Sequence, residues 1–213
     1  KAVYYAHARG YDSARDVMLF SDNVTASVYD NLIKAVHKHL PAVYRYFDVR
    51  RRKMKLKEIH HYDTYVPSIT ELDTKRTWKQ AVNLVMDSLA PLGSEYCGVL
   101  EAGLNGRWCD RYPNEGKQSG AFSAGSFDGN PYILMNYKPT VLNDVFTLTH
   151  EAGHSMHSYY SSGNQPYQYY NYTIFVAEVA STFNEELLAH YMMEHAEDDK
   201  MRAYLINREI DDI

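Results

Sequence analysis

The chain has 213 residues, 45% of them hydrophobic and 23% charged, and carries a formal net charge of -5 at pH 7. Such a composition belongs to an ordinary folded protein long enough for a sizeable core. The negative balance disfavours nucleic acid or an anionic membrane as a partner, and no apolar stretch is long enough to span a bilayer.

Residues 1–20 mix apolar and charged positions at helical spacing, with Asp12 or Ser13 as a cap. Thr25 or Ser27 then leads into the stripe Val28, Leu32, Ile33, Val36 and Leu40, which should end at Pro41. A further helix is expected from Ala42 to about Lys57, and a loop over 60–72. Asp73 or Thr74 suits the cap of a helix carrying Trp78, Ala81, Val82, Val85, Met86 and Leu89, stopped by Pro91 and Gly93. A shorter helix covers 94–104. Residues 105–131, rich in Gly, Ser and Asn, read as turns around short strands, and Pro131–Tyr137 is the best strand pattern. A long helix follows Pro139 and Thr140, then a Tyr-rich loop over 161–173 and two helices over about 174–195 and 198–213. The expected fold is mainly α with a small antiparallel β-sheet (α+β), in a single stretch with a helical portion, 1–104, and a sheet-plus-helix portion, 105–213.

The chemistry lies in Thr147-Leu-Thr-His150-Glu151-Ala-Gly-His154-Ser-Met-His157. On a helix, residues i and i+4 share a face about 6 Å apart along the axis. Two imidazoles so placed can share one zinc ion, and the adjacent Glu151 can reach a water on the metal without binding the metal itself. A catalytic zinc needs a third protein ligand. His157 lies seven residues past His150, roughly 10 Å along the axis, too far to reach the same ion easily. The metzincin pattern would place Gly at 157 and His at 160, where this chain has His157 and Tyr160. Glu178 remains, on the next helix in Phe175-Val-Ala-Glu178-Val-Ala-Ser181, an apolar setting in which a buried carboxylate needs a cation. Glu185, seven residues on, suits a hydrogen bond from a ligand imidazole. Glu186 and Glu194 should be solvated.

The run Thr147–Ser158 resembles the zinc motif of the oligoendopeptidase F and thimet oligopeptidase family, as does Glu178 with Ser181 and Glu185 after it. His61-Tyr62-Asp63, Gly116–Ser123 and Pro131–Tyr137 are also similar to oligoendopeptidase F sequences, and the resemblance is strongest over 105–190. It implies a zincin-like catalytic core of the gluzincin kind, usually cytosolic, which cleaves oligopeptides inside a deep channel. It implies one zinc per chain on His150, His154 and Glu178, with Glu151 as general base. Ala152 stands where Leu or Phe is usual. The family has a further helical segment and an N-terminal lobe that residues 1–213 do not match, and the chain opens on Lys1 rather than Met. A fragment of the catalytic domain is therefore expected, with its activity in isolation open.

Hydroxyls of the Tyr-rich loop, Tyr167, Tyr169, Tyr170 or Tyr172, are candidate donors to the oxygen that gains charge during peptide cleavage, and His157 is a candidate to orient neighbouring groups. The strand at 132–137 could offer an edge to an extended peptide. Two rivals stand beside the peptidase: a fragment that binds zinc without activity, and a basic binding module using Arg50-Arg51-Arg52-Lys53, Lys55 and Lys57. Gly116–Gly120 lacks the spacing of a phosphate loop. Cys97 and Cys109 are the only cysteines; they form no C-x-x-C pair and point to a reducing cytosol.

Overall fold

The computed structural model describes residues 1–67, 69 and 75–211. The chain divides into two compact units, Lys1–Thr70 and Glu71–Ile213. In the first, α1 (Ala2–Ala8) and α2 (Ala14–Phe20) are separated by a turn at Gly10, whose φ of 77° favours glycine. Ser13 caps α2, its Oγ accepting from the Asp16 N–H at 3.2 Å.

The next helix corrects the sequence reading. α3 runs unbroken over Ala26–Lys53, with Pro41 inside it. Proline removes a single rung of the backbone ladder, and strong helical sequence on both sides carries the helix through. It closes at Met54 and at Lys55, which adopts a left-handed φ of 57°. The three arginines of the basic run at its end are engaged within the unit, while Lys53, Lys55 and Lys57 are exposed. Arg50, 3% exposed, donates to Tyr46 Oη at 3.1 Å and to the Thr64 and Val66 carbonyls at 2.9 and 2.7 Å. Arg51 and Arg52 both pair with Asp48. Arg50 thereby ties α3 to a 3-10 turn over His61–Tyr65.

The second unit opens at α4 (Trp78–Leu89). Its cap is Thr77, in a capping box with Gln80; the expected caps Asp73 and Thr74 lie outside the described residues. A short 3-10 turn at Ala90–Leu92 and Gly93 lead into α5 (Ser94–Asn105). Three short strands follow: β1 (Cys109–Asp110), β2 (Phe122–Ala124) and β3 (Tyr132–Leu134). Then come α6 (Asn143–Asn164), α7 (Ile174–Glu194) and α8 (Asp199–Asp211). The core gathers Val82, Val85 and Leu89 from α4, Leu100 and Leu104 from α5, Ile133 from β3, Phe146, Leu148 and Met156 from α6, Leu188 from α7 and Leu205 from α8. Among the described residues, no helix is long and apolar enough to cross a membrane.

The sheet is mixed rather than antiparallel. Its order is β1-β3-β2, with β1 parallel and β2 antiparallel to β3. From β1 the chain crosses to the far edge to form β2, then turns back between them as β3. The strand expected to offer a free edge is thus the central one, paired on both sides. Ile133 N–H bonds the Trp108 carbonyl at 2.7 Å and Met135 N–H the Asp110 carbonyl at 2.9 Å, both toward β1. Alternation along a strand then points Tyr132 and Leu134 toward β2, where they pair with Ala124 and Phe122. Ser123, between those two partners, turns its N–H and carbonyl away from β3.

Cys97 and Cys109 are free thiols. Burial pushes the Cys109 thiol up to about 12, outweighing nearby Arg111 and Lys117. A raised thiol value means less thiolate at any given pH, on the order of one part in ten thousand at pH 8. Cys109 should therefore resist a thiol-reactive dye at pH 8 until denaturant is added; rapid labelling of Cys109 in the folded protein would contradict this packing.

Candidate metal centre

Helical spacing places His150 and His154 on one face of α6, with ring centroids 4.7 Å apart. What brings a third donor to them is the crossing of α7. At Gly153, between the two histidines, an added Cβ would lie 2.6 Å from the Ala180 carbonyl oxygen and 2.6 Å from Ser181 Cα. Only a glycine lets the two backbones approach this closely. The crossing sets Glu178, one turn before Ser181 on α7, opposite the imidazoles.

Three atoms converge. His150 Nε2 and His154 Nε2 are 3.1 Å apart, and each is 3.3 Å from Glu178 Oε2. Zinc–ligand bonds of roughly 2.0–2.1 Å at tetrahedral angles put neighbouring donors about 3.3–3.4 Å apart. The triangle thus has nearly the edge lengths of one face of a zinc tetrahedron, and among the described residues these three form the metal-competent group. The donor chemistry fits as well. His150 Nδ1 bonds Glu185 Oε1 at 2.7 Å, so with the proton on Nδ1 its Nε2 keeps a lone pair. Two ring nitrogens and a carboxylate oxygen facing one point form an electron-rich hole suited to a cation.

The surroundings set the charge of each group. The Glu185 hydrogen bond raises His150 above its ordinary value, against burial. Burial lowers His154 and favours its neutral ring, with Glu178 opposing. Burial pushes Glu185 up, but hydrogen bonds from His150 and Arg208 outweigh it and hold the carboxyl below its usual range. Arg208, on α8, binds Glu185 Oε2 at 2.6 Å. Glu151 is 7% exposed, and burial raises its carboxyl; His150 and a hydrogen bond from the Ser123 backbone pull the other way. That N–H is the outward-facing one of edge strand β2. Ser123 Oγ and Ser155 Oγ, 2.8 Å apart, fasten the same strand to α6.

Glu178 is the predicted residue in an unpredicted setting. Its side chain is 53% exposed, because the apolar residues beside it, Phe175, Val176 and Val179, are themselves at the surface. Ser181 Oγ donates to Glu178 Oε2 at 2.8 Å and orients it. His157 lies apart from the triangle, its ring stacked on Tyr172 at 3.6 Å and 7°. Its Nδ1 is buried without a hydrogen-bond partner among the described residues, and burial lowers its affinity for a proton. Tyr172 Oη pairs with Ser158 Oγ at 2.9 Å. Tyr167 and Tyr170 stack on each other, Phe127 meets Tyr167 edge-on and Tyr170 at a tilt, and Tyr169 is exposed. Glu186 and Glu194 are exposed as expected. Sequence reasoning missed Gly153, Ser123 and Arg208. A glycine inside a long helix is a readable sign of close packing; the other two act through a backbone group and a distant ion pair, which leave no local signature.

Residues 1–213 match the family described as Peptidase family M3. The Oligopeptidase PepF of Bacillus subtilis (strain 168) is 48% identical over 207 residues, covering 97% of this chain and 31% of that protein. The Oligoendopeptidase F homolog of Borreliella burgdorferi is 44% identical over 214 residues, covering 100% of this chain and 36% of that one. A crystal structure from Chlamydophila abortus is similar with a TM-score of 0.83 at 41% identity, covering 99% of this chain and 35% of that chain. The chain spans about a third of the length of the curated relatives it matches.

The helix crossing yields a direct expectation. Gly153→Ala should push α7 away from α6 and lower metal affinity by about tenfold or more, the scale seen when the support of a ligand is disturbed. Equilibrium dialysis against zinc would measure this; unchanged affinity would mean that the crossing does not set the triangle.

Proposed function

The chain belongs to peptidase family M3, and from that premise we propose that it forms the catalytic core of a zinc-dependent endopeptidase acting on oligopeptides. The observation that carries this reading is the triangle of His150 Nε2, His154 Nε2 and Glu178 Oε2 with Glu151 beside it on the same helix. In this reading the three residues hold one zinc per chain. Zinc at such a site supplies a Lewis acid and lowers the pKa of a water.

Every other role falls to the chain's own groups. Glu151 takes the proton of the attacking water and passes it to the leaving nitrogen. Its raised carboxyl suits both directions of that transfer, and the Ser123 N–H fixes its orientation. Glu185 keeps the His150 ring turned so that Nε2 faces the site. The outward carbonyl of Ser123 on β2 gives an extended peptide a main-chain partner that does not depend on its side chains, in place of β3. Tyr167, Tyr169 and Tyr170 are our candidate donors to the oxygen gaining charge, and His157 with Tyr172 steadies the end of their loop. Two relatives are named an oligopeptidase and an oligoendopeptidase F homolog, which supports short peptides as substrates. We place the activity in the cytoplasm, where the free Cys97 and Cys109 remain reduced.

Glu151→Gln keeps the shape of the side chain and removes its basicity. In the protein at its natural length, zinc should stay at one per chain while cleavage of a quenched fluorescent oligopeptide falls by about 10²–10⁴. Turnover at the unsubstituted rate would remove Glu151 from the role of base.

A further inference from the structure

We propose that Arg208 is a positioning residue of the metal centre, setting the His150 ring through Glu185 and so tuning metal affinity from a helix that carries no ligand. This rests on the reading of His150, His154 and Glu178 as zinc ligands. Arg208 lies on α8, and its side chain is only 11% exposed. One guanidinium reaches two other helices. Nη2 is 2.6 Å from Glu185 Oε2 on α7. Nε donates to Asn143 Oδ1 at 3.1 Å, at the first residue of α6. The guanidinium carbon sits 3.6 Å from the centre of the Phe146 ring, one turn further along α6. Nη1 also lies 3.5 Å from Glu209 Oε1.

The geometry divides the work of the Glu185 carboxylate between its two oxygens. Oε2 is held by Arg208, and Oε1 receives the His150 Nδ1 at 2.7 Å. With one oxygen anchored, the plane of the carboxylate is fixed, and so is the direction from which Oε1 meets the imidazole. The His150 ring then cannot rotate about its own axis without breaking that bond, and Nε2 stays aimed at His154 and Glu178. Arginine suits the task because its planar fork serves Glu185 and Asn143 together, which a lysine ammonium cannot do in the same geometry. The Asn143 and Phe146 contacts hold the fork in register with α6, the helix that carries both histidines. Arg208 thus ties the carboxylate on α7 to the helix whose ligand that carboxylate orients.

The test is a double-substitution cycle on zinc affinity in the protein at its natural length, measured by competition with a chromophoric chelator. Arg208→Met keeps an apolar stem over Phe146 and removes the fork; it should weaken zinc binding by about tenfold. Glu185→Gln should weaken it at least as much. Since Arg208 acts through Glu185, Arg208→Met should add nothing in the Glu185→Gln background. Arg208→Lys should fall between Arg208→Met and the unsubstituted protein, and the visible spectrum of the cobalt form should shift in the same order. If Arg208→Met does not fold, the same comparison made with Arg208→Lys decides. Unchanged affinity in the Arg208 variant, or losses that multiply in the double variant, would overturn the inference while leaving the metal site intact. Absence of zinc binding by the unsubstituted protein would instead overturn the metal reading and this inference together.

Discussion

The approach of α7 to α6 at Gly153 is the constraint on which the metal centre depends. Helical periodicity alone puts two imidazoles on one face, and many helices carry such a pair on a solvated surface. The third donor lies 24 residues beyond His154 and must be delivered by tertiary structure. With no side chain at 153, the α7 backbone comes within van der Waals reach of the motif helix at Ala180 and Ser181. Glu178 then meets both rings at 3.3 Å. The buried leucines and methionines of α6 and α7 hold that crossing in place, so the core and the site are one piece of packing.

Charge follows from the same geometry. Glu178, the carboxylate in the triangle, is half-exposed, while Glu151 is nearly buried. That contrast separates their roles. Glu178 is open to an incoming cation, and the desolvated Glu151 carboxyl holds its proton more readily and can exchange it. Glu185 is a third kind, kept ionised by an imidazole on one side and a guanidinium on the other. In the proposed reading, three acids within one helix crossing would serve as ligand, proton carrier and orienter, according to what surrounds each.

How much of this was legible in the sequence depended on range. The motif helix, α5 and the final pair of helices were readable because their signals are local. Pro41 misled because a lost backbone rung was weighed without the helical sequence on either side. The sheet was legible only as three extended stretches between turns; strand order is set by a crossing that no residue of two- or three-residue strands announces. Glu178 was found for a reason that the structure replaces. Its apolar neighbours suggested burial, yet Phe175 and Val179 are exposed, and what marks Glu178 is its register with Ser181 and with the glycine of the facing helix. Arg208, separated from Asn143 by 65 residues, gave no sign at all.

Diffraction recorded at the zinc absorption edge, from crystals of the natural-length protein grown with zinc, tests the site most directly. A single anomalous peak should lie about 2.0–2.2 Å from His150 Nε2, His154 Nε2 and a Glu178 oxygen, with His157 uninvolved. A peak held by other side chains, or Glu178 turned away from both rings, would contradict the convergence on which the enzyme reading stands.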